Sequence, residues 1–212
     1  MEILGFATGP YQTNCYAVVH GNQASVIDPG MHAQPQIEAF LAEQKVSLVQ
    51  IVLTHGHIDH VRDAAVLANK WGVPVYIHDA DAAFLDKGKG MSKESVLLFA
   101  AEDMPLPNNV QSLEHGQRIE LGGEKFEVRH GPGHSPGSVL LVGSEFCFSG
   151  DILFKGSIGR TDLMHSDPQA MQETLKNQVL SLDNSLQILP GHGPMTTMRA
   201  ERMNNPYLRP FV

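Results

Sequence analysis

Apolar residues near the start of the chain fall into short runs broken by turn residues, at 3–7, 15–20 and 24–27. Runs of that length predict strands. Asp28-Pro29-Gly30 ends the third with a turn signature. Ile37, Phe40 and Leu41 then recur at i, i+3 and i+4, one face of an amphipathic helix over 34–44. The run 48–53, apolar but for Gln50, predicts a strand buried on both faces. Helical spacing returns through Ala64, Ala65, Leu67 and Ala68, predicting one helix over 59–71 that stops at Gly72 and leaves Trp71 in the core. A strand follows over 74–77.

The stretch 79–109 is less periodic, with a short helix and a mobile-looking Lys87-Gly88-Lys89-Gly90. Strands resume at 118–121, 126–130, 138–142 and 145–149, with hairpin turns at Gly122-Gly123 and Gly143-Ser144. Asp167-Pro168 opens a helix reaching about Ser181, with an N-cap and a first-turn proline. A buried strand at 186–189 leads into Pro190-Gly191-His192-Gly193-Pro194. Two β-rich halves with helices pack best as two sheets between helix layers.

The 212 residues include 15 Lys and Arg against 23 Asp and Glu, a formal charge of −8. Without a basic stripe, nucleic acid is not an expected partner. No apolar stretch is long enough to cross a bilayer. The opening Met1-Glu2-Ile3-Leu4 carries no leader pattern, so the expected location is cytoplasmic. Cys15 and Cys147 sit in apolar runs and read as two buried free thiols.

The chemistry concentrates in Thr54-His55-Gly56-His57-Ile58-Asp59-His60, directly after the 48–53 strand. In extended backbone His55 and His57 point the same way. Asp59 can act merely as a helix cap, but the cluster as a whole reads as a metal site. Imidazole suits Zn, Fe or Mn, and a carboxylate hardens the site. His134, Asp151 and His192 stand at further strand-to-loop junctions beside glycines and supply the ligands the first cluster lacks. His20, His32, His78, His115, His130 and His165 lie outside these motifs and read as surface or hydrogen-bonded histidines. Met195, Met198 and Met203 read as packing.

Thr-His-x-His-x-Asp-His, Gly-His-Ser-Pro-Gly-Ser, Ser-Gly-Asp and Pro-Gly-His-Gly-Pro, in that order, make the sequence resemble the metallo-β-lactamase superfamily. The resemblance implies one αββα domain over 1–212, two mixed sheets flanked by helices, with a dinuclear centre at one edge. It places His55, His57 and His134 on the first metal, Asp59, His60 and His192 on the second, and Asp151 between them. It implies two divalent ions per chain, zinc first, with iron or manganese also fitting.

The nearest likeness is to short glyoxalase II-type hydrolases, through Gly150-Asp151-Ile152-Leu153-Phe154 and Ser157-Ile158-Gly159-Arg160-Thr161-Asp162. It implies hydrolysis of S-2-hydroxyacylglutathione, with Asp59 and Asp151 catalytic and Arg160 and Lys155 on the substrate. Only 20 residues follow His192, so the C-terminal helical extension of full-length glyoxalase II is not expected. Arg62-Asp63 stands where many relatives have glycines. The alternative is a mononuclear Fe(II) persulfide dioxygenase of the same fold. The expected partner is a small-molecule thioester, and the expected assembly a monomer or small homo-oligomer.

Overall fold

The computed structural model describes residues 1–211. The first half opens with the antiparallel strands β1 (Glu2–Thr8), β2 (Thr13–His20) and β3 (Gln23–Ile27). Helix α1 (Ala33–Gln44) leads to β4 (Ser47–Val52). Helices α2 (Ile58–Val61) and α3 (Ala64–Trp71) lead to β5 (Val75–Ile77). Short helices α4 (Asp79–Ala82) and α5 (Lys93–Leu98) precede β6 (Val110–Ser112). Strands β3 to β6 pair in parallel, so the sheet is mixed and runs in sequence order.

The second half holds β7 (Arg118–Leu121), β8 (Glu124–His130), β9 (Val139–Val142) and β10 (Phe146–Gly150), all antiparallel. A hairpin, β11 (Leu153–Phe154) and β12 (Ser157–Ile158), follows. Helix α6 (Pro168–Thr174) continues as a wider π turn through Leu175–Val179. Then come β13 (Gln187–Pro190), parallel to β10, and β14 (Thr196–Thr197), which leads into α7 (Met198–Asn204).

Strand alternation builds the four layers. Cys15, Ala17, Val26 and Ile51 face outward onto Ile37, Leu41, Ala64 and Leu67 of α1 and α3. Their neighbours Tyr16, Val18, Ile27 and Val52 face inward onto Phe126, Val128, Leu141 and Phe148 of the second sheet. That sheet's other face, Leu140, Cys147 and Ile188, is covered by Met171, Leu175 and Val179. Period-two alternation thus serves three cores from two sheets.

The expected 59–71 helix is broken. The Asp63 backbone N–H donates to the Pro29 carbonyl at 3.0 Å, and the Asp63 carboxylate accepts the Gln34 N–H at 3.0 Å near the start of α1. Arg62 Nε donates to the Phe99 carbonyl at 2.6 Å. These ties turn the chain between α2 and α3. Trp71 is no core residue, being 37% exposed at the end of α3. Met198 is buried, as a packing role requires, but Met195 and Met203 are exposed. Lys87-Gly88-Lys89-Gly90 forms successive hydrogen-bonded turns. Asp167 caps α6 through the N–H groups of Gln169 and Ala170, with Pro168 in the first turn. Both thiols are free and buried. Among the described residues, no helix is long and apolar enough to cross a membrane.

Candidate metal centre

Asp28 follows β3, His55 follows β4, Asp151 follows β10 and His192 follows β13. His134 sits in the loop between β8 and β9. Parallel pairing of β3 with β4, and of β10 with β13, brings these ends to one edge of the sandwich. His57 caps α2, whose first turn carries Asp59 and His60.

Four of the five rings are oriented through the nitrogen that faces away from the centre, while His57 Nδ1 lies 2.8 Å from His134 Nε2. His60 Nδ1–H donates to Asp28 Oδ2 at 2.9 Å. His134 Nδ1–H donates to the Arg160 carbonyl at 2.9 Å, and His192 Nδ1–H to the Tyr11 carbonyl at 3.2 Å. Thr54 Oγ1–H donates to Asp28 Oδ2 at 2.6 Å, so its oxygen is left to accept His55 Nδ1–H at 3.1 Å. The Nε2 atoms of these four rings therefore face the centre, the side from which a neutral imidazole offers its lone pair to a metal. His55 Nε2 and Asp151 Oδ1 are buried polar atoms with no hydrogen-bond partner. Such groups are costly unless something binds them.

Donor atoms of His55, His57 and His134 lie within 4.8 Å of one another, and so do those of Asp59, His60 and His192. Asp151 stands between the two groups. Its Oδ2 is 3.3 Å from His134 Nε2 and 3.5 Å from His192 Nε2, and its Oδ1 is 3.4 Å from His60 Nε2. His60 Nε2 is 3.3 Å from His192 Nε2 and 3.4 Å from Asp59 Oδ2. A tetrahedral ion with bonds of 2.0–2.1 Å separates its ligands by about 3.3–3.4 Å. The donor set thus fits divalent ions in spacing and in chemistry.

The electrostatics split the histidines. Burial, with His60 and His57 nearby, pushes His55 well down, and burial with His134 takes His57 to about 3. Burial also opposes charge on His60, but Asp59 and Asp151 outweigh it and raise that ring. His192 is raised against burial by the Asp59 hydrogen bond and by Asp151. Burial would raise Asp59 and Asp151, yet His60 and His192 hold both carboxyls low. Carboxylates that stay ionised in a buried site are suited to a cation.

Two further carboxylates set the frame. Asp28 takes the Thr54 N–H at 2.8 Å in addition to Thr54 Oγ1 and His60. Asp81, fully buried in α4, accepts the Gly56 N–H at 2.8 Å, Ser135 Oγ at 2.6 Å and the Gly137 N–H at 2.6 Å. It clamps the loop of His55 and His57 to the loop of His134. A Cβ at Gly137 would stand 2.7 Å from Asp81 Cγ, so a glycine is needed there. Nothing in the sequence separates Asp81 from the exposed Asp79 two positions earlier.

A cavity of about 540 Å³ opens over the centre. Its floor includes His57, Asp59, His134, Asp151 and His192, and its wall includes Phe84, Met91, Phe154, Leu163 and Met164. Arg160 reaches the rim. Its guanidinium is held by Asp162, with Nε at 2.9 Å from Oδ1 and an Nη at 3.0 Å from Oδ2. The structure does not bring Lys155 there: it is exposed between β11 and β12 and does not line the cavity.

The chain matches the metallo-beta-lactamase superfamily over residues 8–192 and belongs to it. Membership supports a metal-dependent hydrolytic enzyme. The hydroxyacylglutathione hydrolase GloC of Haemophilus influenzae is 33% identical over 207 residues, covering 93% of this chain and 93% of that protein. The BLEG-1 B3 metallo-beta-lactamase superposes with a TM-score of 0.85 at 31% identity, over 98% of this chain and 99% of that one. TTHA1623, solved in a di-iron-bound form, superposes with a TM-score of 0.80 at 36% identity, over 97% and 100%.

Proposed function

We propose that the chain hydrolyses the thioester of a 2-hydroxyacyl group, with S-lactoylglutathione as the reference substrate, using two divalent ions. The observation that carries this is the pair of three-donor groups with Asp151 between them, opening into a largely apolar cavity. His55, His57 and His134 would hold the first ion and Asp59, His60 and His192 the second, with Asp151 within reach of both groups. Zinc, iron and manganese all accept this donor set, and the TTHA1623 neighbour is named for a di-iron form. When bound, such ions bring the pKa of a coordinated water toward neutrality and polarise a carbonyl.

The chain's own residues do the rest. Thr13 Oγ1–H donates to Asp59 Oδ2 at 2.9 Å and fixes that carboxylate. Phe84, Phe154 and Leu163 exclude water from one side of the acyl group. A thiol with a pKa near 8.5 leaves as thiolate without a proton donor, and among the described residues no further acid stands on the floor. The GloC relative supports the thioester class.

The test is metal content of chelator-free protein, read beside turnover of S-lactoylglutathione, nitrocefin hydrolysis and oxygen uptake with a glutathione persulfide. Two ions with thioester turnover are expected. One iron with oxygen uptake overturns the reading in favour of the dioxygenase, and dominant nitrocefin hydrolysis overturns it in favour of a lactamase.

A further inference from the structure

The cavity's charge is unusual for an enzyme that grips an anionic thiol. Glutathione carries two carboxylates and one ammonium at neutral pH. A site that selects it needs cations on its wall, ideally uncommitted arginines. Among the described residues, no lysine lines this cavity and Arg160 is the one arginine that does. Its guanidinium is already paired through two hydrogen bonds with Asp162, both side chains being about 70% exposed (69% and 70%). Two of its five N–H groups are committed to that carboxylate, whose charge offsets its own, so a substrate carboxylate competes with Asp162 for the guanidinium. The remaining charged side chain on the wall is Glu94, which repels an anion.

What the wall offers instead is apolar surface from Met91, Leu163 and Met164 and hydroxyls from Tyr11, Ser92 and Ser95. Hydroxyls pair with amides and alcohols without needing charge. Met side chains adapt to irregular groups.

We infer that the thiol half of the substrate is uncharged: a neutral, amide- or hydroxyl-bearing thiol in place of glutathione itself. This rests on the thioester reading above. The preference is set by Asp162 pairing with Arg160 and by Glu94, which lines the same cavity.

The experiment uses the metal-loaded protein and two lactoyl thioesters that differ by one charge, those of N-acetylcysteine and of its methyl ester. The methyl ester is expected to have the higher kcat/KM by about tenfold or more. Asp162→Asn, which frees Arg160, should raise kcat/KM for the acid and leave the methyl ester within about twofold. Equal turnover of the two, or preference for the acid, overturns the inference and leaves the hydrolase reading standing. An unchanged ratio in Asp162→Asn overturns the role given to the Arg160–Asp162 pair. No turnover of either thioester by protein that holds its metals overturns the hydrolase reading and this inference with it.

Discussion

Replacing Asp81 by asparagine keeps the side chain's shape and takes away an acceptor. Oδ2 receives the Gly56 N–H and Ser135 Oγ, while Oδ1 receives the Gly137 N–H at 2.6 Å. An asparagine that keeps its carbonyl toward Gly56 and Ser135 turns its NH₂ onto the Gly137 N–H, donor against donor. One charge-assisted bond is lost and a buried N–H is left unpaired, a cost of about 2–4 kcal/mol. Because Asp81 ties together the loops that carry His55, His57 and His134, those three donors lose their common anchor. A supporting residue of this kind is worth about 10- to 100-fold in metal affinity. Urea unfolding gives the stability, and competition with a chelator of known affinity, at a temperature where circular dichroism reports folded protein, gives the affinity. The group of His55, His57 and His134 should bind its ion more weakly or lose it, while the donor group of Asp59, His60 and His192 keeps its ion. Unchanged affinity at both sites beside a clear loss of stability would falsify the clamp and leave Asp81 a structural residue. Unchanged stability would contradict the hydrogen bonding itself.

Gly191→Ala should cost metal without unfolding the chain, since a Cβ there collides with Asp151 Oδ1 and lies 2.6 Å from His60 Cε1; elemental analysis beside circular dichroism checks it, and full metal content refutes it. Neighbouring carboxylates raise His60 and His192 against the effect of burial, so metal loading competes with protons at both rings. Loading should therefore acidify a weakly buffered solution, and affinity should fall as pH drops toward and below 6.5; a pH-independent affinity between 6 and 8 rules this out. Burial pushes Cys147 up to about 12 and raises Cys15 well above the usual thiol range, so a thiol reagent at pH 8 should label neither in the folded protein and both in denaturant. Rapid labelling of the folded protein would place a thiol at the surface.

Period and punctuation made most of the architecture legible. The runs ending near His20, Ile27 and Leu53 each became a strand, because alternating burial and turn residues are local signals. Strand β6 was not legible: Val110 and Gln111 are exposed, and the strand exists through pairing with β5. The break between α2 and α3 was hidden as well, since the Pro29 carbonyl that captures the Asp63 N–H comes from 34 residues earlier. All seven candidate ligands could be named because imidazoles cluster at strand ends for few structural reasons. Their supports could not. Asp81 is one acid among several in its stretch, and only the fold shows that it alone turns inward. Arg160 was legible as a rim cation, but its pairing with Asp162 depends on how the loop is arranged.

The first sheet's loops carry His55, His57, Asp59 and His60, and the second sheet's loops carry His134, Asp151 and His192. Neither half owns a complete set. The seam between them is also sewn without metal, by Tyr16 Oη to the Pro190 carbonyl at 2.7 Å and the Asn14 N–H to the Gly191 carbonyl at 2.7 Å. Ion capture is therefore an assembly event. A polypeptide emerging from the ribosome cannot complete the paired donor groups until β13 has been made and His192 docked beside Asp59 and His60. Two separately expressed halves, inert alone, would regain tight metal binding only on recombining, which makes the centre a built-in reporter of when the two sheets have met.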